Sequence, residues 1–336
     1  MIKKKYEYIQ ISIVIPIYNA GYFITRCFES VSKQNYKNIE CLFIDDCSPD
    51  SSNDILQEMI SAYKGPIQFS IVKHEKNKGL SGARNTGTRL ANGDYIYYLD
   101  SDDDITPNCI HSLVDIALKY ENVDIVQGAT NTIPPLTGRD WRDIRGNSFP
   151  IFSNDRTWIR QHFFSKPNIP VNAWNKLIRR EFLLENNLFF KEGLVHEDEH
   201  WMFFVAKKIE SIAFCEQVYY NHYIVPGSII QSGNIHKRLD SMLTVVSEMA
   251  NNIDTDLPAV QRRYIYKLIN NSLDMMNSKE YQKLWKRHYL ALVKEFFKNS
   301  IQNFCFFETL ILLTLLLPNF YKMRRASELL IEQYKK

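Results

Sequence analysis

The stretch Tyr95-Ile96-Tyr97-Tyr98-Leu99-Asp100-Ser101-Asp102-Asp103-Asp104 decides how the rest of the chain is read. An apolar and aromatic run, of the kind that forms a buried strand, ends in four acids within five residues. Carboxylates at that density repel one another, and burying them unpartnered is costly. A divalent cation removes the conflict. A solvated acidic turn closing a strand is the alternative, and for an isolated Asp-Ser-Asp it is the commoner case. On an extended segment side chains repeat with period 2, so Asp100 and Asp102 point the same way and the small Ser101 points elsewhere.

Working outward, Ile11-Ser12-Ile13-Val14-Ile15-Pro16-Ile17 reads as a strand covered on both faces. Pro16 cannot donate to a ladder, so the strand is expected to end there. Tyr18-Asn19-Ala20-Gly21 is the turn, and Ile24, Cys27, Phe28 and Val31 follow at helical spacing. A second strand, 40–44, ends in Asp45-Asp46, and Ser48-Pro49-Asp50-Ser51 caps the next helix. A third strand is expected over 67–72, then a polar loop from His74 to Leu80. Ser81-Gly82-Ala83-Arg84-Asn85 opens a helix running to about Ala91, Pro107 starts another, and 123–126 is a short strand. Strands alternating with helices predict a mostly parallel sheet with helices on both faces. Such sheets bind ligands beyond the carboxyl ends of their strands. Asn19, Asp45, Asp46, Asp100 and Asp102 all gather at those ends, which favours the cation over the turn.

Residues 128–150, with Pro134-Pro135, Gly138 and Gly146, look irregular: a mobile loop, or strands the pattern hides. A helix near 155–164 and the segment Val171-Asn172-Ala173-Trp174-Asn175-Lys176-Leu177-Ile178 follow. A second acidic cluster, Glu197-Asp198-Glu199, opens a helix carrying Trp201, Phe204 and Val205. Residues 212–223 read as two short strands, and from about 236 the pattern is helical to the end. The apolar run 304–317 is shorter than the roughly 20 residues that span a bilayer, and it contains Glu308. It is either a buried helix of a C-terminal bundle or a helix on a membrane surface, with Lys322, Arg324 and Arg325 on anionic lipid.

The 336 residues suffice for one large domain with an appended segment. Apolar content of 45% and charged content of 24% are those of an ordinary globular protein. The net charge of +3, with no dense basic stripe in the first 300 residues, gives no support to nucleic-acid binding. None of the six cysteines forms a Cys-x-x-Cys pair, so neither zinc nor a redox dithiol is indicated. Cys27, Cys41 and Cys109 read as buried thiols of a reducing cytoplasm. Lys3-Lys4-Lys5 precedes no apolar run of signal-peptide type, so no export is expected.

Taken together, the chain resembles a family 2 glycosyltransferase of the GT-A fold, of the bacterial surface-polysaccharide kind. The resemblance rests on blocks in a fixed order: Ser12 to Asn19, Arg26 to Val31 with Gln34, Asp45-Asp46-Cys47-Ser48-Pro49-Asp50, Asn77 to Asn85, Gly93-Asp94-Tyr95-Ile96 and Asp100-Ser101-Asp102-Asp103. Weaker blocks are Trp174-Asn175-Lys176-Leu177 and Glu197-Asp198-Glu199. The match is strong over about 10–110 and weaker to about 230. It implies a doubly wound, mostly parallel α/β sheet over 1–235, with a nucleotide-binding half of about 10–127 and an acceptor half of about 128–235. A helical region, 236–336, follows.

The resemblance also implies a nucleotide-sugar donor, a UDP-sugar above all, and inversion at the anomeric carbon. The block around Pro16, Tyr18 and Asn19 would line the donor. Asp46, with Asp45 beside it, would take the uracil. Asp100 and Ser101 would face the ribose, and Asp102, with Asp100, the cation, Mn2+ or Mg2+. The family's catalytic base maps to Asp198. Cys47 stands where glycine or asparagine is more usual. The Gln-x-x-Arg-Trp signature of processive members is absent, as are their membrane helices, which implies addition of one sugar at a time.

Carboxylate oxygens are the right ligands for a hard cation, and a carboxylate within reach of an acceptor hydroxyl can take its proton. Glu197 is the rival base, or else binds the acceptor. Arg84 and Lys78 could meet the diphosphate, Lys78 being equally a plain surface lysine. Trp174 either stacks on an acceptor sugar or fills the core. Asp103 either supports the cation's ligands from behind or is solvated. His222 and His236 are metal or phosphate contacts, or packed and surface histidines. The expected acceptor is a glycan or lipid-linked oligosaccharide at the cytoplasmic membrane face, with 304–325 as a peripheral contact. A nucleotidyltransferase would want a glycine-rich loop after the first strand, which Ile15-Pro16-Ile17-Tyr18-Asn19 is not, and neither G-x-G-x-x-G nor a P-loop occurs. The other alternative is an inactive nucleotide-sugar-binding or scaffold protein of a polysaccharide assembly complex, against which the intact Asp102 and Asp198 argue.

Overall fold

A computed structural model describes residues 9–137, 140, 142–225 and 235–274. The first half runs β1 (Ile11–Ile17), α1 (Ile24–Ser32), β2 (Ile39–Asp45), α2 (Ser52–Ala62), β3 (Gln68–Lys73), α3 (Gly79–Leu90), β4 (Tyr95–Tyr98), β5 (Asp104–Ile105) and α4 (Cys109–Lys119). Then come β6 (Ile125–Ile133), β7 (Phe152–Ser153), α5 (Arg156–Phe164), β8 (Lys176–Arg179), α6 (Arg180–Glu185), α7 (Glu197–Lys208), β9 (Ile212–Tyr223), α8 (Ile235–Asn251) and α9 (Pro258–Asp274).

The strands form one sheet in the order β3-β2-β1-β4-β8-β6-β9-β5, with β7 beside β9. Strands β1 to β4 are parallel, as expected. Strand β8 is antiparallel to both β4 and β6 and separates the two halves. Period 2 assigns the faces. Ile11, Ile13, Ile15 and Ile17 pack with Cys41 and Phe43 on one side, and Val14 packs with Leu42 and Ile44 on the other. Each such side chain contributes about 1.5–3 kcal/mol on burial.

Two expectations change and one open alternative is decided. Strand β1 runs through Pro16 to Ile17, with Pro16 opposite Ile44. Val14 and Leu99 bond on the β4 side, whereas Ile17 and Asp46 bond on the β2 side. By alternation Pro16 faces the β4 side, where the ladder has ended at Val14, so its missing N–H costs nothing. The irregular stretch after 126 holds a strand: β6 continues to Ile133 along β9. The expected two short strands over 212–223 are one, with register shifts against β6 at Gly128/Ala129 and Ala129/Thr130.

Helices α8 and α9 share the core of the sheet's second face through Met242, Val245, Val246, Met249, Tyr264 and Ile265. No helix among the described residues is long and apolar enough to cross a membrane. The run 304–317, Lys322, Arg324 and Arg325 lie outside the described residues.

Candidate active site

The acidic stretch leaves the sheet where β4 stops. Asp103 is buried, and both its oxygens have partners within the fold: Oδ2 takes the Tyr220 hydroxyl at 2.6 Å and faces His222 Nδ1 at 3.2 Å, while Oδ1 takes the Tyr223 N–H at 2.8 Å. Asp103 is therefore not a solvated acid. It anchors the acidic loop to the end of β9. Asp104 does the same, accepting from Asn221 Nδ2 at 2.8 Å and pairing with Arg26 Nε at 3.3 Å. Arg26, from α1, also donates to the Asp102 carbonyl and lies over the Tyr223 ring at 3.7 Å. Asp100, Asp102 and Asp103 each offer a carboxylate oxygen, all within 4.8 Å of one another. Burial, then Asp103 and Asp100, push the Asp102 carboxyl up to about 7.

Across the sheet edge, α7 begins at the second acidic cluster. His196 precedes it in the left-handed region, φ 72 and ψ 36, which turns the chain into the helix. Three acids in the first turn suit the helix dipole. Glu197 and Asp198 both lie above the ordinary carboxylate range because they are buried. Asp198 Oδ2 accepts the Ala173 N–H at 3.2 Å, and Glu199 accepts the Tyr264 hydroxyl from α9.

Arg84 joins the two clusters. It lies on α3, 1% exposed, and its guanidinium meets Asp100 Oδ1 at 2.9 Å, Glu197 Oε1 at 3.0 Å and Asp198 Oδ1 at 2.8 Å. Burial alone would weaken its charge, but Asp198, Asp100 and Glu197 raise its pKa above the ordinary arginine value. Both terminal nitrogens of Arg84, expected to meet the diphosphate, face carboxylates 16 to 114 residues away.

Asp46 is likewise committed. It accepts the Lys78 N–H at 2.8 Å and the Gly79 N–H at 2.7 Å, and lies 2.6 Å from His74 Nδ1. That closes the polar loop before α3 and ties both oxygens of Asp46, the residue expected at the uracil, into the fold. Asp45 differs: Oδ1 takes the Ser48 N–H at 2.8 Å, while buried Oδ2 has no hydrogen-bond partner among the described residues, Lys73 Nζ being 3.9 Å away.

Of the other expected site residues, Pro16 is buried, Tyr18 is 55% exposed, and Asn19 turns with φ 54 beside Ser48. Ser101 is half-buried between the two acids, and the Lys78 side chain is exposed. For Trp174 the structure favours the core alternative over the acceptor platform: it is buried and stacks on Tyr220 and His222, with ring centroids 4.6 and 5.0 Å away. His222 is thus a packed histidine that also faces Asp103.

Cys47 adopts φ 63, which explains why glycine or asparagine suits this position. Cys47→Gly is expected to raise stability by roughly 0.5–1 kcal/mol and Cys47→Val to lower it, since a β-branched residue tolerates that region worst. Urea unfolding of the two variants measures both.

Sequence reasoning missed Arg26 as the clamp on the Asp102 backbone, and Lys176. The readable signal for Lys176 was a lysine directly before the apolar pair Leu177-Ile178.

The pattern of Glycosyl transferase family 2 matches residues 12–186, more than half of the chain. The uncharacterized glycosyltransferase YibD of Escherichia coli K12 is 29% identical over 218 residues, 64% of this chain, and the chain spans 61% of that protein's length. The crystal structure of S. aureus TarS 1–349 in complex with UDP-GlcNAc superposes with a TM-score of 0.66 at 18% identity, over 85% of this chain and 81% of that one. The mannosyltransferase PcManGT of Pyrobaculum calidifontis, in complex with GDP-Man and Mn2+, gives 0.56 at 13% identity, over 90% and 86%. These structural likenesses show the GT-A fold. With the matched pattern running from β1 through the acidic stretch to α6, the chain belongs to glycosyl transferase family 2.

Proposed function

We propose that this glycosyltransferase moves one sugar from a UDP-sugar to a hydroxyl of a glycan or lipid-linked oligosaccharide, with inversion and with a divalent cation, Mn2+ or Mg2+. The observation that carries the reading is Arg84, which draws Asp100 and the Glu197-Asp198 pair to one point on the sheet edge. The UDP-GlcNAc of TarS and the GDP-Man and Mn2+ of PcManGT support a nucleotide-sugar and a metal. The donor set fits a hard cation: oxygen ligands only, and an Asp102 carboxylate that costs free energy to ionise without one. Asp102 and Asp100 would hold it, with Asp103 fixed behind them. Bound there, the cation neutralises the growing charge of the diphosphate leaving group.

Asp45 Oδ2, buried and without a partner among the described residues, is the acceptor left for the uracil N–H, with exposed Tyr18 and Asn19 at the same strand end. Asp100 keeps one oxygen on Arg84 and has the other to share between the cation and a ribose hydroxyl. Asp198 takes the proton of the acceptor hydroxyl as that oxygen bonds to the anomeric carbon and the bond to the diphosphate breaks. A single displacement from the opposite face inverts the centre, with no covalent intermediate. Glu197 orients the acceptor. The absence of Gln-x-x-Arg-Trp supports single additions. Surface-polysaccharide synthesis at the cytoplasmic membrane face is the setting this reading implies.

The test is a panel of UDP-sugars with Mn2+, read by thermal shift and by the anomeric configuration of the transferred or released sugar. Ligand at about 100 times its dissociation constant adds about 2.7 kcal/mol, so a rise of several degrees is expected. Chelation with EDTA should remove most of it. No response to any UDP-sugar, or a response indifferent to EDTA, overturns the donor or the metal respectively, and retention of configuration overturns the single displacement.

A further inference from the structure

Lys176 opens β8 and is wholly buried, opposite Gln127 of β6. An apolar residue would fill that space without desolvating a charge. Its Nζ donates to the Asn172 carbonyl at 2.5 Å, and the next residue, Ala173, gives its N–H to Asp198 Oδ2. Asn172 Nδ2 braces the same turn on the Trp174 carbonyl at 2.7 Å. Asn175, with φ 58, fixes its far end on the Ala129 carbonyl at 3.0 Å and Thr130 Oγ1 at 3.1 Å. The turn 172–175 is therefore stapled at both ends, and the lysine is the staple next to Asp198.

The charged group that acts on Lys176 is Asp198 of α7. Those that act on Asp198 are Arg84 of α3, Asp100 beyond β4, and Lys176 itself, with Glu197 beside it on the same Arg84 nitrogen. Burial pulls the Lys176 ammonium down to about 7, and Asp198 works against that pull. Asp198 thus has a buried cation on each side: Arg84 bonded directly to Oδ1, and Lys176 reaching Oδ2 through one peptide unit.

We propose that Lys176 is a positioning residue for sugar transfer, whose ammonium locks the 172–175 turn against Asp198 and supplies, with Arg84, the positive charge that keeps that carboxylate ionised. This rests on Asp198 being the base. Below neutral pH, where a carboxylate base loses activity, Lys176 carries its proton, so removing it shifts the acidic limb of the pH profile upward.

The test compares Lys176→Met, which removes charge and hydrogen bond, with Lys176→Gln, which removes the charge and keeps an N–H donor. Both are made in the full chain and assayed on the UDP-sugar that most stabilises the protein. For both, kcat is expected to fall at least about tenfold and the acidic limb to rise by about one pH unit, the effect of losing a nearby opposite charge. KM for the donor, and binding of UDP alone, should stay within about twofold, because no donor contact changes. The melting midpoint of Lys176→Met is expected to fall by a few degrees, because the Asn172 carbonyl loses its donor and Asp198 loses a neighbouring cation, while Lys176→Gln keeps a donor and falls less. A folded Met or Gln variant with unchanged kcat and an unmoved limb overturns the inference. An Asp198→Asn enzyme of full activity would instead overturn the base assignment, so the two failures are distinct.

Discussion

Arg84→Met is expected to abolish transfer and to cost about 3–5 kcal/mol of stability at pH 7, the usual result of removing one member of a buried ion cluster. The guanidinium is enclosed, and the side chains of Asp100, Glu197 and Asp198 around it are only 24%, 12% and 21% exposed, so solvent cannot replace it. Methionine fills much of the volume and leaves three carboxylates facing one another. The deficit should depend on pH with a definite sign. Glu197 and Asp198 have folded pKa values above their unfolded ones. A carboxyl raised in this way favours the fold below its unfolded pKa, and that advantage is lost as pH rises through the folded value. Without Arg84 both values climb further, so the variant should be nearest to wild type at pH 5 and furthest at pH 8. Guanidinium unfolding at the two pH values measures this. Arg84→Lys should recover part of the stability and little of the turnover, because one ammonium cannot span three carboxylates in fixed directions. A methionine variant as stable as wild type at pH 8, or one that still transfers sugar, would show that the cluster does not couple the donor and acceptor sides.

Much of the fold was legible, and the reasons are local. Strands β1 and β2 are continuous apolar runs, α1 shows its spacing in Ile24, Cys27, Phe28 and Val31, and most of the turns between β1 and β4 carry glycine, proline or asparagine. Strand β6 was hidden because Gly128, Thr130, Asn131 and Thr132 have loop composition; pairing with β9, more than eighty residues later, overrides them. The antiparallel β8 was invisible for the same reason, since its four residues acquire direction only from β4 and β6. In the site, the acids were legible because strand ends collect ligand-binding groups. Their division of labour was not. Asp45 and Asp46 are adjacent and chemically identical; what separates them is that His74, Lys78 and Gly79 close on one of them. Arg84 could be seen as a basic residue near a strand end, but its three acids come from α7 and the end of β4. Trp174 looked available to a sugar until β9 brought Tyr220 and His222 into stacking contact with its ring.

Asp198→Asn is expected to lower kcat by about 10²–10⁴-fold, the range that loss of a general base produces, while UDP affinity stays near that of wild type. The substitution preserves shape, so the Ala173 N–H and Arg84 keep a neighbour at the same place, and Asp45, Asp100 and Asp102 are untouched. The pH profile discriminates further. The base works only when ionised, so wild-type activity rises with pH through the pKa of Asp198, and burial puts that limb above the ordinary aspartate range. In the Asn variant the limb should vanish and the residual rate should be flat through that window. Glu197→Gln is the control for the rival assignment. Glu197 shares the same Arg84 nitrogen and is raised by burial and by Asp198, so pKa alone cannot rank the two carboxylates. Geometry ranks them: Asp198 is held on both oxygens, by Arg84 and by Ala173, whereas Glu197 is held on one. A base must hold its direction while bonding to the sugar proceeds, and the doubly held carboxylate does so better. If Glu197→Gln loses the greater rate and the acidic limb, the roles of the two acids are exchanged. If neither variant changes kcat, neither carboxylate is the base.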